Sequence, residues 1–166
     1  GEKIDFKRSI QASLLQAGIE VLKQSKDLLP QAGGLVIAPS IPMAKYMAKI
    51  LEKLTGEKPY LVHNDEPGSH ALIDVFKDND KDWIVAVDMI SEGVDIPRLR
   101  TLVYLPRQQT ELHFRQALGR VVRRYKENLP DISYANVIMP KIPFFEECAS
   151  RILSEMKAYH IDDKEP

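Results

Sequence analysis

Cysteine is almost absent from this 166-residue chain, which contains one, Cys148. A single cysteine excludes a disulfide bond within the chain and a zinc site built from several cysteines. Long apolar runs are also missing, since none approaches the roughly 20 residues that a membrane-spanning helix requires. The first residues carry no hydrophobic segment of the kind found in secretory signals. We therefore expect a protein of the cytoplasm.

An excess of charge of either sign is missing as well, because 23 basic and 24 acidic residues leave a formal net charge of -1. A neutral total does not exclude a nucleic-acid partner, since basic residues can gather on one face. Between residues 98 and 126 the basic residues far outnumber the acids, of which Glu111 is the only one. They are Arg98, Arg100, Arg107, Arg115, Arg120, Arg123, Arg124 and Lys126. This contrast favours a positive surface for phosphates, with a merely solvated basic surface as the alternative.

Several sequences that enzymes use are also missing. The chain has no G-x-x-x-x-G-K-[ST] phosphate loop and no D-E-x-[DH] strand end that would hold Mg²⁺. It has no G-x-S-x-G nucleophile elbow and no dinucleotide-binding fingerprint. The acids at 74, 78, 80 and 82 lack the glycine and the closing glutamate of a calcium loop. We therefore expect no metal site and no ATPase activity in this chain by itself.

What the chain does contain is an alternation of helix and strand patterns. A long amphipathic helix is predicted over residues 4–29, and Ser69 is predicted to cap a later helix. Buried strands are predicted at 35–38, 60–62, 83–87, 102–105 and 135–139, with further helices at 43–54, 110–122 and 144–159. The alternation predicts an α/β fold with a mostly parallel sheet and helices on both faces. Ligands of such sheets bind beyond the carboxyl ends of the strands.

The most informative sequence lies at the end of the helix predicted over 110–122. It reads Gln116-Ala117-Leu118-Gly119-Arg120-Val121-Val122-Arg123. Helical spacing would place Gln116, Arg120 and Arg123 on one face, and Gly119 would let another surface approach. Guanidinium groups offer forked, charge-assisted donors to phosphate oxygens, so this face suits a polyphosphate. The alternative is a solvated basic helix end, which the helix dipole favours.

A second unusual sequence follows the strand predicted at 83–87. Residues 91–97 read Ser-Glu-Gly-Val-Asp-Ile-Pro, with Gly93 and Asp95 at the centre. A glycine and a carboxylate in a loop after a strand could hold a sugar or position a phosphate through backbone N–H groups. The alternative is a loop in which Gly93 supplies a tight turn and Pro97 ends it.

Together, and in this order, these sequences resemble the motifs of superfamily 2 helicases. Residues 85–97 resemble motif V, and residues 116–123 match the motif VI pattern Q-x-x-G-R-x-x-R at every fixed position. Residues 35–40 resemble motif IV, and residues 110–115 are typical of the DEAD/DEAH-type group. The resemblance covers roughly residues 33–140. It implies a RecA-like three-layer sandwich that serves as the second motor lobe, with residues 1–30 leading from a first lobe and residues 31–166 forming the domain.

The resemblance also implies roles for individual residues. Arg120 and Arg123 would reach the γ-phosphate of ATP, and Arg123 would be the arginine finger. Gln116 would contact the phosphate region or the first lobe. Gly93 and Asp95 would lie at the nucleotide, with Asp95 near the ribose or coupled to the arginines. These roles require a longer protein, because the phosphate loop and the Mg²⁺ site of such motors belong to the first lobe.

The nucleic-acid contact that the resemblance implies is Ser40, which would touch the backbone. Many members of the superfamily have threonine or serine where Val87 stands, and valine cannot donate the corresponding hydrogen bond. The implied partners are the first lobe of the same protein and DNA, with RNA less favoured. ATP and Mg²⁺ would be held mainly by the first lobe. The alternative function is a non-catalytic α/β module that binds a nucleotide or another anion.

Overall fold

The computed structural model describes residues 9–63, 67–87, 96–107, 109–125, 129–131 and 135–164. The helices are α1 (Ile10–Leu28), α2 (Ile41–Thr55), α3 (Ser69–Lys77), α4 (Glu111–Leu118) and α5 (Pro143–Lys164). The strands are β1 (Gly33–Ala38), β2 (Tyr60–Val62), β3 (Trp83–Val87), β4 (Leu99–Tyr104), β5 (Arg123–Tyr125), β6 (Leu129–Asp131) and β7 (Asn136–Ile138). Across this described part of the chain, no helix is long and apolar enough to cross a membrane.

The central sheet has five strands in the order β2-β3-β1-β4-β7, and every neighbouring pair is parallel. β5 and β6 form a separate antiparallel pair. All six residues of β1 are buried, as expected for a central strand covered on both faces. The predicted α/β fold with a mostly parallel sheet is therefore confirmed.

The two faces of the sheet support two hydrophobic clusters. Along β1, Leu35 and Ile37 belong to the cluster that includes Phe76 of α3, Phe114 of α4 and Phe145 of α5. The intervening β1 residues Val36 and Ala38 belong to the other cluster, which includes Leu15 of α1 and Met47 of α2. This separation follows from the two-residue repeat of a strand, which sends successive side chains to opposite faces. The result is three layers, with helices on either side of the sheet.

Helix α1 packs within the same domain as the sheet. Its residues Ala12 and Leu15 are fully buried in the cluster that contains Val36. Near its end, the Ser25 hydroxyl accepts a hydrogen bond of 2.9 Å from Asn136 Nδ2 of β7. The predicted division of the chain near residue 30 stays a prediction, and residues 1–8 lie outside the described residues.

Two sequence predictions about helices were wrong. The helix predicted over 110–122 ends at Leu118, and Arg123 lies on β5 instead of a shared helical face. After α4 the chain makes one more turn, in which the Val122 N–H donates to Leu118 O. The chain then forms β5, which pairs with residues 129–131. Two consecutive β-branched valines favour this change from helix to strand. Ser69 is the first residue of α3 and not its cap, a position that Gly68 takes with φ of 88°.

Gly34 of β1 is required by Trp83, because a Cβ at residue 34 would lie 2.3 Å from the indole ring. We expect Gly34→Ala to lower the free energy of unfolding by about 1–3 kcal/mol, since the added methyl must displace a buried ring. Trp83 is the only tryptophan, so denaturant unfolding followed by its fluorescence measures the change directly. Gly119→Ala is the matched control, because its Cβ would come no closer than 3.4 Å to any atom. Equal stability of the two variants would contradict the prediction.

Candidate functional site

The parallel strands end at one edge of the sheet. β1, β2, β3 and β4 end at Ala38, Val62, Val87 and Tyr104. The loops that follow therefore meet at this carboxyl edge, where open α/β sheets bind their ligands. The residues implied for nucleotide and nucleic-acid binding all follow one of these strands in sequence.

Ser40 follows β1 and begins α2. It is exposed, and its Oγ accepts a hydrogen bond of 3.3 Å from the Met43 N–H, as an N-terminal cap does. Pro42 near the start of the helix fits the same cap, because a proline there lacks an N–H that would otherwise need a partner. Accepting this bond leaves the hydroxyl hydrogen of Ser40 able to donate outward. The position is compatible with a contact to a phosphate backbone.

The loop after β2 is closed by a serine. The His63 N–H donates to Ser69 Oγ at 3.1 Å, and the Ser69 hydroxyl donates back to His63 O at 2.8 Å. Both residues are buried, with exposed fractions of 5% and 3%. The main chain of His63 therefore joins the end of β2 to the start of α3.

The loop after β3 contains the residues of motif V. Gly93 and Asp95, implied for nucleotide binding, lie outside the described residues. The chain is described again from Ile96, which is fully buried and whose carbonyl accepts from the Leu99 N–H at 3.1 Å. The end of the motif is thus anchored beside the start of β4.

Hydrogen bonds hold the end of β4 and the start of α4. The Leu105 N–H donates to Ile37 O at 2.9 Å, which extends the pairing of β4 with β1. Thr110 caps α4, since its Oγ1 accepts from the His113 N–H at 3.2 Å. The Tyr104 hydroxyl is hydrogen-bonded to Nδ1 of His113, which joins the end of β4 to the first turn of α4. Helix α4 therefore begins at the carboxyl edge.

The motif VI residues lie at the end of α4. Gln116 on α4 is exposed, and Arg120, in the turn that follows the helix, is half-buried. Phe114, Ala117 and Val121 anchor the same segment in the core. Arg123 lies three residues further on β5, and its side chain is outside what is described. The described part of the site thus supplies an amide and a guanidinium, donors that fit anionic phosphate oxygens.

Two of the basic residues do not contribute to a positive surface at this edge. Arg98 and Arg100 lie at the start of β4, at the opposite end of the strand. Arg98 is 8% exposed and donates to Gln31 O at 3.0 Å and Phe76 O at 2.8 Å. Burial lowers the pKa of this guanidinium from its ordinary value, although nearby Asp82 and Asp80 act in the other direction. The expectation that the basic residues of 98–126 gather on one positive surface was therefore wrong for Arg98 and Arg100. They lie at the start of β4, whereas the residues after Tyr104 lie at the other edge of the sheet.

Sequence reasoning missed two polar contacts around α4. One is the Tyr104–His113 hydrogen bond. The other is an ion pair of 3.0 Å between Glu111 at the start of α4 and Arg151 of α5. A tyrosine in the apolar run predicted as a strand at 102–105 could have signalled the first, because a buried hydroxyl requires a partner. The second joins residues 40 positions apart and has no local signal in the sequence.

The chain is similar in sequence to a known domain family and to several longer proteins. The sequence model of the helicase conserved C-terminal domain matches residues 17–125. An uncharacterized protein of Mycobacterium leprae is 38% identical over 140 residues, covering 84% of this chain and 23% of that protein. The mitochondrial ATP-dependent RNA helicase MSS116 of Candida glabrata is 24% identical over 137 residues, covering 81% of this chain and 20% of that protein.

A solved structure shows the same fold. The second domain of the Mss116p DEAD-box helicase, bound to an RNA duplex, superposes with a TM-score of 0.60 at 19% identity. The match covers 84% of this chain and 55% of that one. The predicted RecA-like sandwich is thereby confirmed. The chain spans about a quarter or less of the curated relatives described above, so it corresponds to one part of those proteins.

Proposed function

Because the chain belongs to the helicase conserved C-terminal domain family of superfamily 2, we propose that it is the second motor lobe of an ATP-dependent nucleic-acid helicase or translocase. The first lobe, in the same longer protein, would hold most of the ATP. The observation that carries this proposal is the end of α4, a helix that begins at the carboxyl edge of the sheet and bears Gln116, with Arg120 in the turn directly after it. Arg123 follows directly on β5.

The arginines act on the charge of the phosphates. A guanidinium near the γ-phosphate stabilises the negative charge that develops on its oxygens as the bond to the leaving group breaks. Arg120 and Arg123 supply such groups, with Arg123 as the finger. Gln116 would help to orient the phosphate region or contact the first lobe. Mg²⁺ bound with ATP would neutralise part of the same charge, and its ligands belong to the first lobe.

Gly93 and Asp95 would contribute on the nucleotide side. Backbone N–H groups near a glycine can approach a ligand closely, and a carboxylate can accept hydrogen bonds from ribose hydroxyls or pair with an arginine. Their position in sequence, after β3, places them between the end of a central strand and the start of β4. This supports the proposal that the motif V loop contacts ATP together with motif VI.

The nucleic acid is proposed to be DNA. The support is the resemblance of motif V to restriction and repair motors; RNA is the alternative that the experiment below must test. Ser40 at the start of α2 would donate its hydroxyl hydrogen to a phosphate oxygen of the backbone. A contact of this kind carries no base-sequence information, so sequence specificity would come from other domains.

ATP turnover by the full-length protein tests the proposal. We expect turnover that single- or double-stranded DNA stimulates, and more weakly RNA, whereas this chain alone should hydrolyse no ATP above background. Stronger stimulation by RNA would reverse the choice of nucleic acid but leave the motor function intact. Full-length protein that binds ATP yet shows no turnover with any nucleic acid would contradict the proposal. It would favour a non-catalytic nucleotide-binding module.

A further inference from the structure

Tyr104 ends β4 with a side chain that has no exposed surface. Its hydroxyl would lose its hydrogen bonds to water on burial and therefore requires a partner inside the protein. That partner is Nδ1 of His113 on the first turn of α4. The backbone of His113 is held at the same time, because its N–H donates to Thr110 Oγ1 at 3.2 Å. His113 is thus fixed both through its side chain and through its main chain.

The apolar contacts of α4 do not fix its position in the same way. Phe114 meets the Tyr104 ring edge-on with centroids 5.4 Å apart, and it stacks on Phe145 at 6.2 Å. Such contacts hold α4 against the core, but the hydrophobic effect has no preferred direction. A hydrogen bond weakens steeply when its distance or angle changes. The Tyr104–His113 bond is therefore a directional link between α4 and the end of β4, and the Glu111–Arg151 ion pair links the same helix to α5.

The position of α4 matters for two residues of motif VI. Gln116 lies on α4 three residues after His113, and Arg120 lies in the turn that directly follows the helix. A shift of α4 at His113 would move Gln116 with the helix, and it would also move Arg120, because the turn that carries Arg120 is hydrogen-bonded to α4 through the Arg120 N–H to Ala117 O and the Val122 N–H to Leu118 O. A displacement of about 1 Å in a positioning element can lower an enzymatic rate by about 10²-fold.

We propose that Tyr104 and His113 are positioning residues for ATP hydrolysis: their hydrogen bond aims Gln116 and Arg120 at the phosphates of ATP held by the first lobe. Neither residue touches the nucleotide. The inference rests on the proposed function and adds to it a specific link between the sheet and motif VI.

The test uses the full-length protein with Tyr104→Phe, His113→Leu and His113→Asn. Phenylalanine keeps the ring packing and removes the hydroxyl, whereas asparagine can place a polar atom close to the position of Nδ1. Ser25→Ala is the matched control, because it removes a side-chain hydrogen bond of 2.9 Å to Asn136 on the other face of the sheet. For each protein, kcat and the KM for ATP are measured at saturating nucleic acid, and the melting temperature is recorded.

We expect Tyr104→Phe and His113→Leu to lower kcat by about tenfold while the KM for ATP changes by less than about twofold. The double variant should be no slower than either single variant, because both remove the same bond. His113→Asn should recover most of the lost rate. Ser25→Ala should lower the melting temperature by an amount similar to Tyr104→Phe, a few degrees, and leave kcat unchanged.

A kcat of Tyr104→Phe that matches Ser25→Ala would overturn the inference and leave the contact a purely structural one. Additive losses in the double variant would overturn it as well, since they would show two independent effects. Failure of the proposed function has a different signature, because it would appear in the unmutated full-length protein as the absence of stimulated turnover.

Hydrogen exchange of the α4 amides in this chain is the second measurement. The exchange rate should rise in Tyr104→Phe and not in Ser25→Ala. Equal exchange rates in the two variants would also overturn the inference.

Discussion

Arg123→Ala in the full-length protein is expected to lower the kcat of nucleic-acid-stimulated ATP hydrolysis by about 10³-fold or more, with ATP binding largely retained. The arginine finger acts on charge that forms only in the transition state, so its loss affects the chemical step more than binding of the ground state. Steady-state turnover at saturating DNA and equilibrium binding of a fluorescent ATP analogue measure the two effects separately.

Two further variants make the interpretation specific. Arg123→Lys keeps the positive charge but loses the planar fork of donors, so we expect it to recover little of the rate. Lys23→Ala removes a cation that is 69% exposed on α1, and we expect it to leave turnover unchanged. A full rate in Arg123→Ala combined with a large loss in Arg120→Ala would transfer the finger to Arg120. Full rates in both would mean that the motif VI assignment is wrong.

Arg98→Met is expected to lower the free energy of unfolding of this chain by about 3 kcal/mol, because it removes two charge-assisted hydrogen bonds. The guanidinium joins Gln31 O to Phe76 O and lies 4.1 Å from the centre of the Phe76 ring. Methionine can fill part of the volume but leaves both carbonyl groups without this donor. Urea denaturation followed by Trp83 fluorescence gives the change.

Arg100→Met provides the comparison for Arg98→Met. Arg100 is only partly buried, and its guanidinium donates to two carbonyl groups close to it in sequence, Pro97 O at 2.7 Å and Leu99 O at 2.8 Å. We expect Arg100→Met to lower the free energy of unfolding by about 1 kcal/mol or less, since these carbonyl groups lie nearer to solvent. Arg98→Lys should fall between the two, because one ammonium cannot reach both acceptors of the guanidinium fork. Equal losses of unfolding free energy in all three variants would contradict the stabilising role of the buried Arg98 hydrogen bonds.

The fold class could be predicted from the sequence because its signals are local. The strand β1 reads as a short apolar run, and α2 carries both a serine cap and a closing glycine, Gly56, with φ of 79°. Alternation of such patterns predicted a parallel α/β sheet, which is confirmed. The order of the strands was not predicted, because pairing depends on contacts between residues that are far apart in the chain.

The candidate site could be predicted from the sequence only in part. Helical spacing predicted Gln116, Arg120 and Arg123 on one face, and in the structure Gln116 lies on α4 and Arg120 in the turn that follows it. It failed for Arg123, because the helix ends early and the chain forms a strand that pairs with residues 129–131. It also treated Arg98 as a surface cation, although Arg98 is buried among carbonyl groups contributed by distant segments. Helical spacing cannot reveal partners that come from other parts of the fold.

The sequence by itself determined the family, the α/β class and the residues of motifs V and VI, because these are properties of residue types at fixed local distances. The tertiary structure decided that Arg98 is buried, where its guanidinium donates to the carbonyl groups of Gln31 and Phe76. It also decided that Tyr104 is hydrogen-bonded to His113, and that residue 34 must be glycine because the Trp83 ring leaves no space for a Cβ. These contacts join segments that only the packing of the sheet and its helices brings together. Their energies depend on distances and burial, which a linear pattern does not contain.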